Sequence, residues 1–214
     1  RFNTLKDWLL SLRTSRRKPI INSQFQDPQQ AFNLAVEHLN AGEFRKAEGV
    51  CRQILMGDPN NPDVLHLMAA VVSQAGDIEQ AIELMKKAVA IRPDYIDAHG
   101  NLGQTLMSLG RQEEAVVHFQ KILELEPNYI EAHGDLGNAL AGLGRFDEAM
   151  VHFQKIVEDR PEIFQAQTNM GNVLMVLGRA EEAITHYHKV TEIAPNNSAG
   201  HVMLGDAYRQ VERL

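Results

Sequence analysis

The sequence predicts an all-α array of helical hairpins, and three observations carry that reading. Pro59, Pro93, Pro127, Pro161 and Pro195 stand 34 residues apart. Gly42, Gly76, Gly110, Gly144 and Gly178 keep the same interval, and so do Ala47, Ala81, Ala115, Ala149 and Ala183. Three residue types that stay in step without an insertion mean one supersecondary unit copied along the chain, each copy burying its apolar face against the next.

The elements follow in order. Residues 1–27 read as a basic amphipathic helix and linker, because Phe2, Leu5, Trp8, Leu9 and Leu12 recur at helical spacing ahead of the stretch Arg13 to Lys18 and Pro19. Such a segment fits a cap on the first repeat, a helix whose residues 1–18 lie on a membrane surface, a basic peptide for a neighbouring molecule's groove, or a remnant of an upstream domain. Five repeats are expected next, at 28–61, 62–95, 96–129, 130–163 and 164–197. Residues 198–214 are the first helix of a sixth, truncated repeat.

In the third repeat Leu102, Gly103 and Leu106 mark the inner stripe of the first helix, and Ala115, Phe119 and Ile122 that of the second. Gly110 closes the first helix in the left-handed conformation, Arg111 to Glu113 opens the second, and Pro127 stops it. Gly103, Gly137, Gly171 and Gly205 fall mid-helix, where glycine costs about 1 kcal/mol relative to alanine. The expected compensation is close approach of the paired helices, with Ala115, Ala149 and Ala183 opposite. The last helix leaves Val202, Leu204, Tyr208 and Val211 with one side to pack on, so the native polypeptide is expected to continue and this segment to self-associate through its repeat ends.

Charge and composition exclude several classes of function. The net charge of −7 conceals +5 on residues 1–26 and −12 on the remainder. An acidic body is a poor partner for phosphate backbones, so nucleic acid is not an expected ligand. No apolar run approaches the roughly 18 residues of a membrane-spanning helix. The single Cys51 cannot form an internal disulfide, which suits a reducing, cytoplasmic setting. It falls where other repeats carry an aromatic, so a buried inert thiol is expected.

Large apolar residue, Leu-Gly, Ala, Phe or Tyr, and Pro at these positions together resemble the tetratricopeptide repeat, the 34-residue helix-turn-helix family. The resemblance implies a right-handed superhelical solenoid whose first helices line a concave groove. Repeats three to five fit best. The first has Ala35 and Cys51, and the second Ala69 and Met85, where later repeats have Gly and an aromatic.

Advancing 100° per residue, the face opposite the core stripe of the first helices carries Asp97, Asn101 and Gln104, then Glu131, Asp135 and Asn138, then Gln165, Asn169 and Asn172. Carboxamides hold both a donor and an acceptor and can pair with a peptide unit. Solvation alone would also account for them, as polar outer faces are usual on amphipathic helices. The asparagines resemble the repeat arm of O-linked N-acetylglucosamine transferases. No Lys or Arg stands at these face positions in the five repeats, which disfavours clamping of a C-terminal carboxylate. Asp97, Glu131 and Asp135 favour a neutral or basic partner.

His99, His133 and His201 share one register position, and His118, His152 and His186 another. Equivalent residues on neighbouring helices stand about 8–10 Å apart and point in parallel. Zinc needs nitrogens at about 2.0–2.1 Å from one centre. Packing is therefore the expected role, with no metal and no cofactor. Glu113 with Glu114 and Glu181 with Glu182 lie in first turns and read as complements to the helix dipole. No phosphate-cradling loop or nucleophilic triad emerges, so the segment is not expected to be an enzyme. The expected function is a scaffold binding a protein or extended peptide in the groove. Two alternatives stand beside it: the substrate-recruiting arm of a larger glycosyltransferase or other group transferase, and a self-assembling structural scaffold.

Overall fold

The computed structural model describes residues 27–213, and the basic helix expected in residues 1–27 therefore falls outside the described residues but for its last position. Among the described residues the chain is all α, with eleven helices and no strand. They are α1 (Pro28–Asn40), α2 (Phe44–Gly57), α3 (Pro62–Gln74), α4 (Ile78–Ile91), α5 (Ile96–Ser108), α6 (Gln112–Leu125), α7 (Ile130–Gly142), α8 (Phe146–Asp159), α9 (Phe164–Val176), α10 (Ala180–Ile193) and α11 (Ser198–Val211).

The turn inside each pair has one construction. Gly144 takes φ +74°, and Gly42, Gly76, Gly110 and Gly178 are likewise left-handed. The next amide reaches back over that glycine: Arg145 N–H donates to Leu140 O at 2.9 Å, and Arg179 N–H to Leu174 O at 2.8 Å. That bond satisfies a carbonyl the helix end would leave open. Nothing lies within 4 Å of where a Cβ at Gly144 would be, so backbone conformation and not space requires glycine there.

The second helices end two residues before each proline and not at it. Glu126, Arg160 and Ala194 have φ between −131° and −142° with ψ between 69° and 86°. Proline's Cδ excludes the helical region for the residue before it, so the break is imposed one step upstream.

The chain divides into two compact units between Thr105 and Leu106. In the first, α1 packs on α2, α3 on α4, and α2 on α3. In the second, α7 packs on α8 and α9 on α10, while α6 meets α7, α8 meets α9, and α10 meets α11. Within each unit the packed helices thus share their apolar stripes between a hairpin partner and a neighbouring pair.

Two mid-helix glycines of the second unit, Gly137 and Gly171, have a ring as their nearest neighbour. A Cβ at Gly137 would stand 2.5 Å from Cε1 of Phe153, and one at Gly171 would collide with Cε1 of Tyr187. Ala149 and Ala183 are fully buried, but neither is among the atoms nearest those glycines. Phe153 fills the space a methyl would occupy and is 1% exposed. Burying a side chain of that size contributes about 1.5–3 kcal/mol, which offsets glycine's helix penalty of about 1 kcal/mol. On α11, where no second helix follows among the described residues, the Cβ position of Gly205 has nothing within 4 Å. Val202 and Tyr208 on the same helix are 59% and 45% exposed.

Candidate functional site

The nine polar residues expected to line the face do not form one ladder. In the first unit Asp97 is half-buried, Gln104 is exposed one turn from Asn101, and Asn101 turns inward. The Asn101 Nδ2–H donates to Nε2 of His66 on α3 at 2.8 Å. His66 is 1% exposed, and its ring meets that of Tyr95 edge-on at 5.0 Å. Arg92 lies 4.6 Å over the Tyr95 ring and grips Asp63 with two hydrogen bonds of 2.8 and 2.7 Å. Burial pushes the His66 imidazole down to about 3, outweighing the Asp63 carboxylate, so the ring is neutral and accepts at Nε2. Asn101 is therefore tied into a buried polar network. The sequence treated it as equivalent to Asn169, and it is not.

In the second unit three amides form an ordered chain. Gln165 Nε2–H donates to Asn169 Oδ1 at 2.7 Å, and Asn169 Nδ2–H donates to Asn138 Oδ1 at 2.7 Å. The chain crosses from α9 to α7, with Gln165 and Asn138 exposed at its two ends. Each bond fixes the donor and acceptor sense of the next amide, so Gln165 presents a carbonyl and Asn138 an NH2 group. Asn172 does not join the chain. Its Oδ1 accepts from the Tyr187 hydroxyl at 2.8 Å, and burial raises that phenol to about 12. Glu131 is exposed and Asp135 half-buried one turn later on α7.

Sequence reading missed a second recurrent feature, a lock between the first helix and the proline loop before it. His99, His133 and His201 place Nε2 at 3.1, 3.0 and 2.8 Å from the carbonyls of Pro93, Pro127 and Pro195. Gln167 does the same to Pro161 at 2.9 Å. The signal was present: a His or Gln stands six residues after Pro93, Pro127, Pro161 and Pro195, whereas Leu65 holds that place after Pro59. Because the carbonyl can only accept, the imidazoles carry their proton on Nε2 and offer Nδ1 as an acceptor.

That tautomer has a consequence in the fourth repeat. His133 Nδ1 lies 3.0 Å from Nδ1 of His152 on α8, with ring centroids 5.2 Å apart and planes inclined by 39°. In the fifth repeat His186 Nδ1–H donates to Gln167 Oε1 at 2.8 Å. The expectation that aligned histidines stay apart compared equivalent positions on different repeats. Contact instead runs between two different register positions within one repeat. Among the described residues no set of three or more His, Cys, Asp or Glu side chains converges as metal ligands.

The acidic pairs divide as well. Glu114 accepts from Arg111 at 2.6 and 2.9 Å, and Glu182 from Arg179 at 2.6 and 2.7 Å, so one carboxylate of each pair serves the preceding arginine, as Glu148 serves Arg145 in the repeat between them. Cys51 is buried and its thiol is pushed up to about 12 by desolvation, as an inert core sulfur should be. Among the described residues no helix is long and apolar enough to cross a membrane.

Comparison with known proteins agrees with this architecture. Residues 73–117 and 110–170 match one tetratricopeptide-repeat family model and residues 164–197 another, together more than half of the chain. A UDP-N-acetylglucosamine–peptide N-acetylglucosaminyltransferase of Caenorhabditis elegans is 27% identical over 84 residues, 39% of this chain. That match spans only 7% of the length of the relative. Among solved structures, YrrB, described as a TPR protein with an unusual peptide-binding site, superposes with a TM-score of 0.73 at 23% identity, covering 84% of this chain and 90% of that one. A MamA structure from AMB-1 superposes with a TM-score of 0.69 at 26% identity over 78% of this chain and 99% of that one.

Proposed function

Starting from the fact that this chain belongs to the tetratricopeptide-repeat family, we propose that it is a protein-interaction scaffold that binds an extended, neutral or basic peptide on the first-helix face of its second unit. The observation that carries this reading is the amide chain Gln165–Asn169–Asn138, held in a fixed donor and acceptor order at an exposed surface. A peptide main chain needs such an alternation, and a face that is already ordered loses little entropy on binding. Glu131 and Asp135 on the same face repel acidic segments and attract basic ones. The peptide-binding site named for YrrB supports the class of ligand, and the shared fold supports a surface of that kind here.

The groove set narrows accordingly. Asn138, Asn169 and Gln165 would contact the peptide, with Glu131 and Asp135 selecting its charge. Asp97 and Gln104 lie at the corresponding positions of the first unit, whereas Asn101 and Asn172 would shape the helices behind each face.

An array of 12-residue peptides graded from acidic to basic tests the proposal. Binding should concentrate among neutral and basic members, and the paired substitution Asn138→Ala with Asn169→Ala should weaken it at least about tenfold, or about 1.4 kcal/mol, with an unchanged melting curve. Unchanged affinity in that variant would reject the face.

The partial match to the N-acetylglucosaminyltransferase favours a second reading, in which this segment recruits substrate for a larger group transferase and the chemistry resides elsewhere in the polypeptide. Under either reading recognition is the task of the repeats. Self-assembly through the α11 face that exposes Val202 and Tyr208 is a third reading, tested by sedimentation over a range of concentrations.

A further inference from the structure

We propose that His133 and His152 form a two-imidazole chelate for a borderline divalent transition metal, with water completing the coordination shell. Two nitrogens bound to one metal at about 2.0–2.1 Å, at angles from square to tetrahedral, stand about 2.9–3.4 Å apart. The Nδ1 atoms of this pair stand 3.0 Å apart, so the ligands are already at chelating separation on two helices that pack against each other. Only a turn of the two rings is needed to swing both lone pairs toward a common point.

The tautomer is also prepared. His133 Nε2–H is held by the Pro127 carbonyl at 3.0 Å, the backbone-carbonyl partner that metal-bound histidines commonly keep, and this leaves Nδ1 as a lone pair. In the metal-free pair the His152 Nδ1–H is the shared proton. On binding that proton moves to Nε2 of the same ring, so two neutral imidazoles accept the metal with no net change in protonation. Both residues are partly exposed, which gives an entry path from solvent. Two neutral nitrogens and no converging carboxylate select copper, nickel or zinc over calcium or magnesium, which require oxygen ligands.

The fifth repeat supplies a natural control. There Gln167 occupies the position of His133, bonds the Pro161 carbonyl at 2.9 Å and accepts from His186 at 2.8 Å. The same two structural bonds are made with one imidazole fewer. His133→Gln should therefore keep the loop lock and the contact with His152 while removing a metal ligand.

The test uses the tag-free chain, copper(II) ions as the probe, and amide NMR. Substoichiometric Cu2+ should broaden amides in the first turn of α7 and the middle of α8 before any others. Zn2+ in excess should reverse the broadening and Ca2+ should not. In His133→Gln the Cu2+ affinity at this place should fall at least about tenfold, the scale on which metal-site changes act. Were His133→Gln to unfold, His152→Gln would serve the same purpose from the other helix. Broadening that starts elsewhere, or that persists unchanged in a folded variant, would overturn the chelate.

Discussion

Repeats one and two fill the space between their paired helices differently from repeats four and five. In the later repeats a glycine on the first helix faces a ring on the second, Gly137 with Phe153 and Gly171 with Tyr187. At the same register the earlier repeats carry Ala35 with Cys51 and Ala69 with Met85, all buried. Where the first helix gains a methyl, the second loses its flat ring and takes a smaller or more pliable side chain. The two positions are therefore one volume constraint read twice, and departures from the repeat pattern come in matched pairs.

The sharpest way to break this comparison is to mismatch the pair. Phe153→Ala should cost about 3–5 kcal/mol, because a buried ring is lost and the rigid glycine opposite cannot fill the hole. Gly137→Ala should destabilise by about 1–3 kcal/mol despite alanine's better helix propensity, since the added methyl meets a fully packed ring. Combining Gly137→Ala with Phe153→Met copies the second repeat and should recover a large part of the loss. Urea unfolding of the native chain, Gly137→Ala, Phe153→Met and their combination closes a double-mutant cycle that reads the coupling, and additive losses would show that the two sites are independent.

A comparison of this kind also shows what the sequence could and could not disclose. Period, helix pairing, the left-handed glycines and the breaking prolines were all legible, because each depends on local chemistry repeated at a fixed interval. The rings nearest Gly137 and Gly171 were not legible, since a repeat pattern shows which positions are small but not which side chain leans over them. The candidate face was legible only as a set of polar positions. Asn101 and Asn169 share one register position, yet the first reaches His66 and the second Asn138, residues 35 and 31 places upstream. Which turn of the preceding helix offers a partner is decided by the neighbour's own sequence, and a period averages that away.

The buried network of the first unit gives the next largest effect. His66 is neutral in the folded chain because burial depresses its pKa from 6.5 to about 3. The folded state thus binds fewer protons than the unfolded state below pH 6.5, and stability falls as pH falls through that window, by up to about 1.4 kcal/mol per pH unit. Asp63, Arg92 and Tyr95 surround the ring, and only Asp63 favours its protonation. His66→Gln keeps an acceptor for Asn101 but has nothing to titrate. Chemical denaturation of both chains at pH 6.5, 5.5 and 4.5 should show a steeper loss in the native sequence, and parallel slopes would mean that His66 is not held neutral.

The smallest effects separate the two asparagines that the sequence aligned. Asn101→Ala removes the donor to a fully buried imidazole nitrogen, and leaving such an acceptor unsatisfied costs about 1–3 kcal/mol. Asn169→Ala breaks bonds at a surface where water replaces them, so its cost to stability should stay within about 0.5 kcal/mol. Peptide affinity should order them the other way, with the larger loss at Asn169. Melting and binding measured on the same two variants would then move in opposite directions, which two simply solvated side chains could not produce. Equal small effects on both readouts would return Asn101 and Asn169 to a single class and remove the distinction between a network that holds the helices and a chain of amides that meets a partner.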